Sequence, residues 1–232
     1  MLTNQQIIEV FGQDEEYFVC AKYALLHGAE KIYAEKDGLL LFYGGIYNIF
    51  GTNGKGLENA LSLVNDAKCF VCSTEEECKA VMQKFGFAKS KPCYQIWYKK
   101  PFGVEIPQDT EVKILTPTDE NIDFVTQTYT LGFSREAIKT LMTDFDFYAT
   151  YTDGEISGYI GRHDEGSIGI LEIMPKFRRR GLGAFLVDYS VKKVVESGDV
   201  AYCHIVKDNV GSLNMHLKMN FTPCDKLVWW CS

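Results

Sequence analysis

The sequence lacks the features of several protein classes. No apolar run approaches the roughly 20 residues that cross a bilayer, and no basic region followed by an apolar stretch opens the chain. Positive charge is also scarce, because the formal net charge is -7 over 232 residues, which opposes nucleic-acid binding. We therefore expect a cytoplasmic protein without a membrane or nucleic-acid partner.

The eight cysteines form no regular disulfide framework, and in a chain of this size without a signal sequence we expect them to stay reduced. Cys69 and Cys72 form a CxxC pair, which raises a zinc or redox site as an alternative. Both lie in the apolar run 68–72, a predicted strand, where residues three apart point to opposite faces. No second CxxC or HxxxH pair completes a tetrahedral set, so we expect no metal.

What the chain does contain suits a folded core. Apolar residues make up 46% and charged residues 24%, which is ordinary for a globular protein. The length suits one large domain or two small ones. A break falls at residues 99–107, where two prolines, a glycine and charged residues interrupt the pattern. We predict two domains, residues 1–105 and 106–232.

The second half is predicted to be a meander followed by alternating helices and strands. Thr118 and Ser134 are predicted helix caps. The predicted elements are a strand at 111–115, helices to 129 and 142, strands at 147–152, 156–163 and 167–174, a helix at 183–197, a strand at 200–206, a helix at 209–219 and a strand at 226–231. This order predicts a mixed α/β sheet with helices on its faces.

The first half repeats the later part of that order. Strands are predicted at 39–43 and 46–50, followed by a glycine-rich loop at 51–56, a helix at 57–64, a strand at 68–72, a helix capped by Ser73 or Thr74, and a strand at 94–98. Residues 84–87 parallel residues 218–221. We predict a diverged internal duplication. The alternative is that four successive elements follow the same order in both halves by coincidence.

The loop Arg178–Gly183 carries the main functional signal. It joins a predicted strand to a predicted helix, whose first N–H groups have no internal partners and lie at the positive end of the helix dipole. Such an end is a pyrophosphate cradle, in which Gly181 and Gly183 let phosphates approach and three arginines add charge. Neither the nucleotide-fold nor the P-loop glycine pattern fits. An ordinary helix cap with surface arginines is the alternative.

Together with residues 209–221, this loop resembles the GNAT acetyltransferase superfamily, whose cofactor motif is Arg or Gln, two residues, Gly, one residue, then Gly or Ala. The resemblance covers nearly all of residues 111–232. It implies an α+β (mixed α/β) fold with a central, mostly antiparallel, splayed sheet flanked by helices. It also implies acetyl-CoA as cofactor. The second motif departs from the family at Asn220, where Gly is usual, and at His216, where Tyr is frequent.

The resemblance implies that the loop amides hold the CoA pyrophosphate and that strand 171–173 pairs with the pantetheine arm. Asn209 is expected to bond to the CoA arm, and capping of its own helix is the alternative role. In the first half, the loop Gly51–Gly56 lacks the leading Arg of the motif, and Glu75 takes the position that corresponds to Asn209. We therefore expect the protein to bind one cofactor, in the second half. A duplication with one degenerate half is similar to the glycine N-acyltransferase-like group. The implied cofactor-binding residues are Ile173, Met174, Arg178, Arg179, Arg180, Gly181, Leu182, Gly183, Ala184, Asn209 and Ser212.

Acyl transfer to an amine requires a neutral nucleophile, a polarised thioester carbonyl and a proton for the CoA thiolate. By resemblance, the backbone N–H of Ile173 polarises the carbonyl. Glu172 is the predicted base if it is buried, with solvent exposure or a cross-strand ion pair as the alternative. His216 is predicted to donate the proton or to orient the pantetheine. Tyr202 and His204 are predicted to line the acceptor pocket, and a core role is the alternative for His204.

The predicted function is therefore transfer of an acetyl or short acyl group from acetyl-CoA to a primary amine of a small molecule or amino acid, directly in a ternary complex. We expect a monomer or homodimer. A non-catalytic acyl-CoA sensor or regulatory module is one alternative, and a structural partner module is another.

Overall fold

The computed structural model describes residues 1–232 and shows eight α-helices and eleven β-strands. The helices are α1 (Asn4–Phe11), α2 (Val19–Leu26), α3 (Gly54–Ser62), α4 (Glu75–Phe85), α5 (Asp119–Thr128), α6 (Arg135–Asp144), α7 (Leu182–Glu196) and α8 (Val210–Lys218). The strands are β1 (Glu30–Glu35), β2 (Gly38–Tyr43), β3 (Ile46–Phe50), β4 (Phe70–Cys72), β5 (Ser90–Tyr98), β6 (Thr110–Ile114), β7 (Tyr148–Thr152), β8 (Glu155–Arg162), β9 (Ile168–Ile173), β10 (Ala201–Val206) and β11 (Leu227–Cys231). None of the helices combines the length and apolar character that a bilayer crossing requires.

The chain divides into two compact units. The first contains Met1–Trp97, His204–Leu213 and Thr222–Ser232, and the second contains Tyr98–Cys203 and Asn214–Phe221. The predicted division at residues 105 and 106 follows the order along the chain, whereas two late segments pack with the first unit. Strand β11 shows why, because it lies between β4 and β5 and is antiparallel to both.

The first unit is built on a mixed sheet. The strand order is β1-β2-β3-β4-β11-β5-β10; β3 and β4 run parallel, whereas β1–β2, β2–β3, β4–β11 and β11–β5 are antiparallel. Successive side chains of β11 enter different clusters: Trp229 packs with Phe70, and Val228 packs with Val71. Both faces of the sheet are therefore covered, as the predicted mixed α/β class requires.

The CxxC pair follows the same alternation. Cys69 packs against the cluster that contains Val228, while Cys72 lies in the cluster that contains Trp229. The prediction that these two thiols point to opposite faces is confirmed.

The second unit is built on the antiparallel sheet β6-β7-β8-β9, which confirms the predicted meander. Thr118 and Ser134 cap α5 and α6 through their side chains, as predicted. The pairing of β8 with β9 shifts register between Tyr159 and Gly161, and Ile170 opposite has a φ of 51°. This bulge bends β9, which forms the edge of the sheet.

Two titratable groups, the buried Glu165 and the half-buried His163, lie at the turn between β8 and β9. Glu165 is 2% exposed and accepts a hydrogen bond from the Ser167 hydroxyl, and burial raises its pKa to about 7. The ring of His163 packs so closely on Gly169 that an added Cβ there would lie 2.2 Å from Nε2, and burial lowers the pKa of His163 to about 4. The charges nearest this turn are Asp164, which raises both pKa values, and Arg162, which lowers that of Glu165.

Glu165 and His163 are expected to change the stability of the protein with pH in opposite directions, and Glu165→Gln should remove the contribution of Glu165. With a folded pKa of about 7 against an ordinary 4.5, Glu165 contributes stability below pH 4.5 that is lost as the pH rises to about 7. His163 contributes stability above pH 6.5 that is lost as the pH falls towards 4. In urea unfolding, Glu165→Gln should gain about 2–3 kcal/mol relative to wild type between pH 4.5 and 8.

The control is Glu120→Gln, which removes an exposed carboxylate from the same unit and should show no such gain. A difference between Glu165→Gln and wild type that stays constant across this pH range would contradict the prediction.

Candidate functional site

The loop between β9 and α7 ends in a helix N-terminus without a side-chain cap. Residues 175–177 form one 3₁₀ turn, Arg179 has a φ of 66°, and Gly181 is the N-cap with a φ of 84°. The first helical bond runs from the Phe185 N–H to the Gly181 carbonyl at 3.0 Å. The N–H groups of the first turn, from Leu182 onward, therefore have no partner within the helix and form an anion-binding end.

Close packing leaves little room for a side chain at Gly183. An added Cβ would lie 3.1 Å from the Met215 Sδ and 3.8 Å from the Ile173 Cγ1. Its φ is not in the left-handed region, in contrast to that of Gly181. The predicted motif therefore uses its two glycines for different reasons, one for backbone conformation and one for close approach.

Strand β9 presents backbone groups along an open edge. Glu172 pairs with Tyr159 of β8, and the Met174 N–H donates to the Ser157 carbonyl at 3.0 Å. Because antiparallel pairing alternates, the N–H and C=O groups of Leu171 and Ile173 point away from β8. The Arg178 Nε donates to the Ile173 carbonyl at 3.0 Å, which fits this direction. An extended ligand with amide groups can pair along this edge.

The Glu172 carboxylate is tied to the loop and to Thr130. It is 12% exposed and accepts bonds from the Thr130 N–H at 3.3 Å, the Thr130 hydroxyl at 2.5 Å and the Arg178 guanidinium at 3.2 Å. Its ion pair is therefore with the loop and not across the sheet. Arg178, predicted to bind cofactor, is engaged with β9, whereas the Arg180 guanidinium lies 5.4 Å from the Phe177 ring.

Two clefts flank the start of α7. One, of about 240 Å³, is lined by Pro107, Gln108, Thr110, Thr152, Arg180 and Leu182. The other, of about 400 Å³, is lined by Phe102, Gly103, Val104, Ala184, Met215, Lys218, Met219 and Asn220. We call the larger one the α7–α8 cleft. Each contains at least one residue predicted to bind the cofactor.

His216 is buried on α8 at 3% exposure. Its Nε2 lies 3.9 Å from the Cys203 Sγ, and that sulfur lies 2.8 Å from the Tyr98 hydroxyl. The neighbouring Met215 lines the α7–α8 cleft. The predicted proton donor thus lies in a buried polar cluster, and its role in catalysis stays a prediction.

The two residues predicted to line the acceptor pocket are both hydrogen-bonded. Tyr202 is fully buried in the second unit, and its hydroxyl donates to the Glu165 carbonyl at 2.6 Å. In the first unit, the His204 Nδ1 accepts from the Trp230 indole at 3.1 Å, so the neutral ring carries its proton on Nε2 and donates to the Gln95 Oε1 at 2.8 Å. These bonds favour the core alternative for His204.

Asn209 and Ser212 lie in the first unit at the start of α8. The Asn209 Oδ1 accepts from the Ser212 N–H at 3.1 Å, so Asn209 caps the helix, as one of its two predicted roles requires. The predicted bond of Asn209 to the cofactor stays a prediction.

Known proteins share this architecture. Residues 147–230 match the sequence profile of the family described as FR47-like protein. Significant matches extend to solved structures, including a GCN5-related N-acetyltransferase from Kribbella flavida at 13% identity, which covers 94% of this chain and 95% of that one with a TM-score of 0.62. Residues 147–230 therefore resemble the FR47-like family, and the chain has the fold of the GCN5-related N-acetyltransferase structures.

Two further structures agree in fold. A GCN5-related N-acetyltransferase-like protein from Streptococcus suis is 11% identical, covering 98% of each chain, with a TM-score of 0.60. A Drosophila protein is 17% identical, covering 84% of this chain and 73% of that one, with a TM-score of 0.66. No curated protein sequence matches the chain significantly.

The glycine-rich loop of the first half differs from the loop before α7, because a carboxylate of the chain itself accepts hydrogen bonds from it. Glu77 is fully buried and accepts five bonds, from the N–H and hydroxyl of Thr52 at 2.8 and 2.6 Å, the N–H and hydroxyl of Ser73 at 2.7 and 2.8 Å, and the Thr74 N–H at 2.9 Å. Burial raises the pKa of Glu77, and these donors oppose that rise.

Asp37 packs closely against the first turn of α3. A Cβ added at Gly56, in the first turn of α3, would lie 2.3 Å from the Asp37 carbonyl oxygen and 3.0 Å from its Oδ2. Sequence reasoning identified neither carboxylate, although Thr74 and Glu77 have the spacing of a capping box. A single cofactor, bound in the second half, stays a prediction.

Proposed function

We propose that this protein transfers an acetyl or short acyl group from acetyl-CoA to a primary amine of a small molecule or amino acid, directly in a ternary complex. One observation carries the proposal: an uncapped helix N-terminus at Gly181 directly follows a strand whose Leu171 and Ile173 amides face an open edge. The first suits a pyrophosphate and the second suits the amides of a pantetheine arm.

The residues of the second unit fit this cofactor in charge and shape. The first-turn amides of α7 face the phosphates, and Arg179 and Arg180 add positive charge beside them. Because Gly183 has no side chain, helix α7 can pack closely against Met215. Acetyl-CoA supplies the thioester, and the protein binds it and orients the amine.

The chemistry needs two proton movements. The amine nitrogen attacks the thioester carbonyl, the C–S bond breaks, and the departing thiolate takes a proton, while the amine loses one. The Ile173 N–H points away from β8 and can donate to the carbonyl oxygen as negative charge develops there. Glu172, held by Thr130 and Arg178, takes the amine proton directly or through water.

A non-catalytic acyl-CoA sensor is the second candidate, and the burial of His216 beside Cys203 favours it. A calorimetric titration with CoA and a mass-spectrometric panel of amines and amino acids with acetyl-CoA separate the two. Binding with amine-dependent release of CoA above the spontaneous rate supports the enzyme. Binding without release supports the sensor, and no binding at all leaves only a structural module.

Glu172→Gln tests the assignment of the base. If Glu172 accepts the amine proton, kcat/KM should fall by about 10²–10³ in this variant. The matched variant is Arg178→Gln, which breaks the same ion pair but keeps the carboxylate. It should retain most of kcat at saturating acetyl-CoA. Full activity of Glu172→Gln from pH 6 to 9 would refute the assignment.

A further inference from the structure

Asp188 holds residues 102–104 against helix α7 within the second unit. Its side chain is 4% exposed in the middle of α7. Oδ1 accepts from the Phe102 N–H at 2.5 Å, and Oδ2 accepts from the Gly103 and Val104 N–H groups at 2.9 and 2.8 Å. Three consecutive amides thus converge on one carboxylate, an anion-binding arrangement of backbone. Gly103, at a φ of 80°, supplies the conformation that this convergence needs.

The same three residues form one wall of the α7–α8 cleft. The Phe102 ring also packs edge-on against Phe221, with centroids 4.0 Å apart. Across the cleft stand Ala184, one residue beyond the loop motif, and Met215, which contacts Gly183. The wall is therefore part of the same space that opens beside the predicted cofactor loop.

The chemistry of the cleft suits a ligand with both apolar and anionic parts. Its lining is mostly apolar, and Lys218 is an exposed cation at its rim. Residues 102–104 have no regular secondary structure, and the Asp188 carboxylate accepts hydrogen bonds from all three of their amides. Here the partner is a buried charge, and charge-assisted hydrogen bonds are about twice as strong as neutral ones.

We propose that Asp188 is a positioning residue for acyl-CoA: by binding the amides of residues 102–104, it fixes the wall of the α7–α8 cleft before the cofactor arrives. The inference rests on the proposed function. Without the anchor, the segment samples other positions and only a fraction of molecules is ready to bind. The apparent affinity falls by that fraction, while the reacting groups of a bound complex are unchanged.

The test compares Asp188→Asn with wild type and with Glu196→Gln, an exposed carboxylate on the same helix. An Asn side chain turns an NH₂ group towards at least one of the amides and cannot satisfy all three. We expect the Kd for CoA and the KM for acetyl-CoA to rise at least about 10-fold, with kcat at saturation within about 2-fold of wild type. Glu196→Gln should match wild type in all three.

Chymotrypsin cleavage after Phe102 gives a second readout. Cleavage should be faster in Asp188→Asn than in wild type, and CoA should slow it in wild type. Gly103→Ala weakens the same anchor from the other side and leaves α7 unchanged, so it serves if the Asp188 variant does not fold. Its left-handed φ strains any side chain, although no atom lies within 4 Å of the added Cβ.

An unchanged Kd for CoA in a folded Asp188→Asn or Gly103→Ala protein would overturn the inference, even if the melting temperature falls, because the anchor would then be structural only. Failure of the wild type itself to bind CoA would refute the proposed function and this inference with it. The two failures are distinguished by the wild-type titration.

Discussion

Glu77→Ala is expected to destabilise the first unit by about 3–5 kcal/mol, because one buried carboxylate serves five hydrogen-bond donors. The substitution leaves the buried amides and hydroxyls of Thr52 and Ser73 without their acceptor, together with the Thr74 amide at the start of α4. Each stranded donor carries a desolvation penalty of about 1–3 kcal/mol, which water entry or local rearrangement partly relieves. Urea unfolding followed by circular dichroism measures the change.

Glu76→Ala is the matched control, because it removes a carboxylate from the same first turn of α4 but at an exposed position. It should change the unfolding free energy by no more than about 0.5 kcal/mol. If the two variants are equally stable, the five bonds to Glu77 do not hold the loop at Thr52. The comparison also bears on function, since a stable Glu77→Ala protein that bound a second CoA would contradict the expectation of a single cofactor.

Gly183→Trp is expected to abolish CoA binding, with a loss of affinity of at least about 1,000-fold, or about 4 kcal/mol. Even a single Cβ at this position approaches the Met215 Sδ to 3.1 Å, so an indole must displace Met215 and fill the space beside the first turn of α7. Calorimetry with CoA measures the loss. Leu217→Trp, which places the same ring on the exposed side of α8, should bind CoA as wild type does.

Two smaller substitutions test whether the loss of CoA binding comes from crowding by the Met215 side chain or from misfolding. Gly183→Ala should weaken CoA binding about 3–10-fold, because it pushes the flexible end of Met215 into the α7–α8 cleft. Adding Met215→Ala removes that contact and should restore the affinity to within about 3-fold, a coupling expected of residues in direct contact. If the double variant binds no better than Gly183→Ala, crowding by Met215 is not the reason for the glycine.

Most of the secondary structure could be predicted because it rests on short-range signals. The caps Thr118 and Ser134 and the turn at Asp153–Gly154 act within four residues, so α5, α6 and the meander fall within two residues of their predicted bounds. Helix α2 was not predicted, because it is buried on nearly all sides and shows no amphipathic stripe. Helix α3 begins at Gly54, inside the predicted loop, since glycine conceals the pattern of its first turn.

In the candidate site, too, the features that depend on neighbouring residues could be predicted and those that depend on distant residues could not. The glycine loop could be predicted because its two glycines and three arginines are adjacent in the sequence and precede a helical stripe. The contacts of Glu172 with Thr130 and Arg178 span up to 42 residues, and those of Asp188 with the 102–104 amides span 84 to 86. No local pattern specifies which carboxylate meets which donor. The packing of the strands and helices determines which donors each carboxylate meets.

The sequence by itself determined the glycine-rich loop at Arg178–Gly183, the order of helices and strands, and through them the GNAT resemblance, because backbone preference and hydrophobic period act over a few residues. Only the tertiary structure decided that β11 joins the sheet of the first unit between β4 and β5, that Glu77 accepts hydrogen bonds from the loop at Thr52, and that residues 102–104 line the α7–α8 cleft. A strand edge accepts any partner of suitable register, and a buried carboxylate accepts any donor within reach. Packing selects among them.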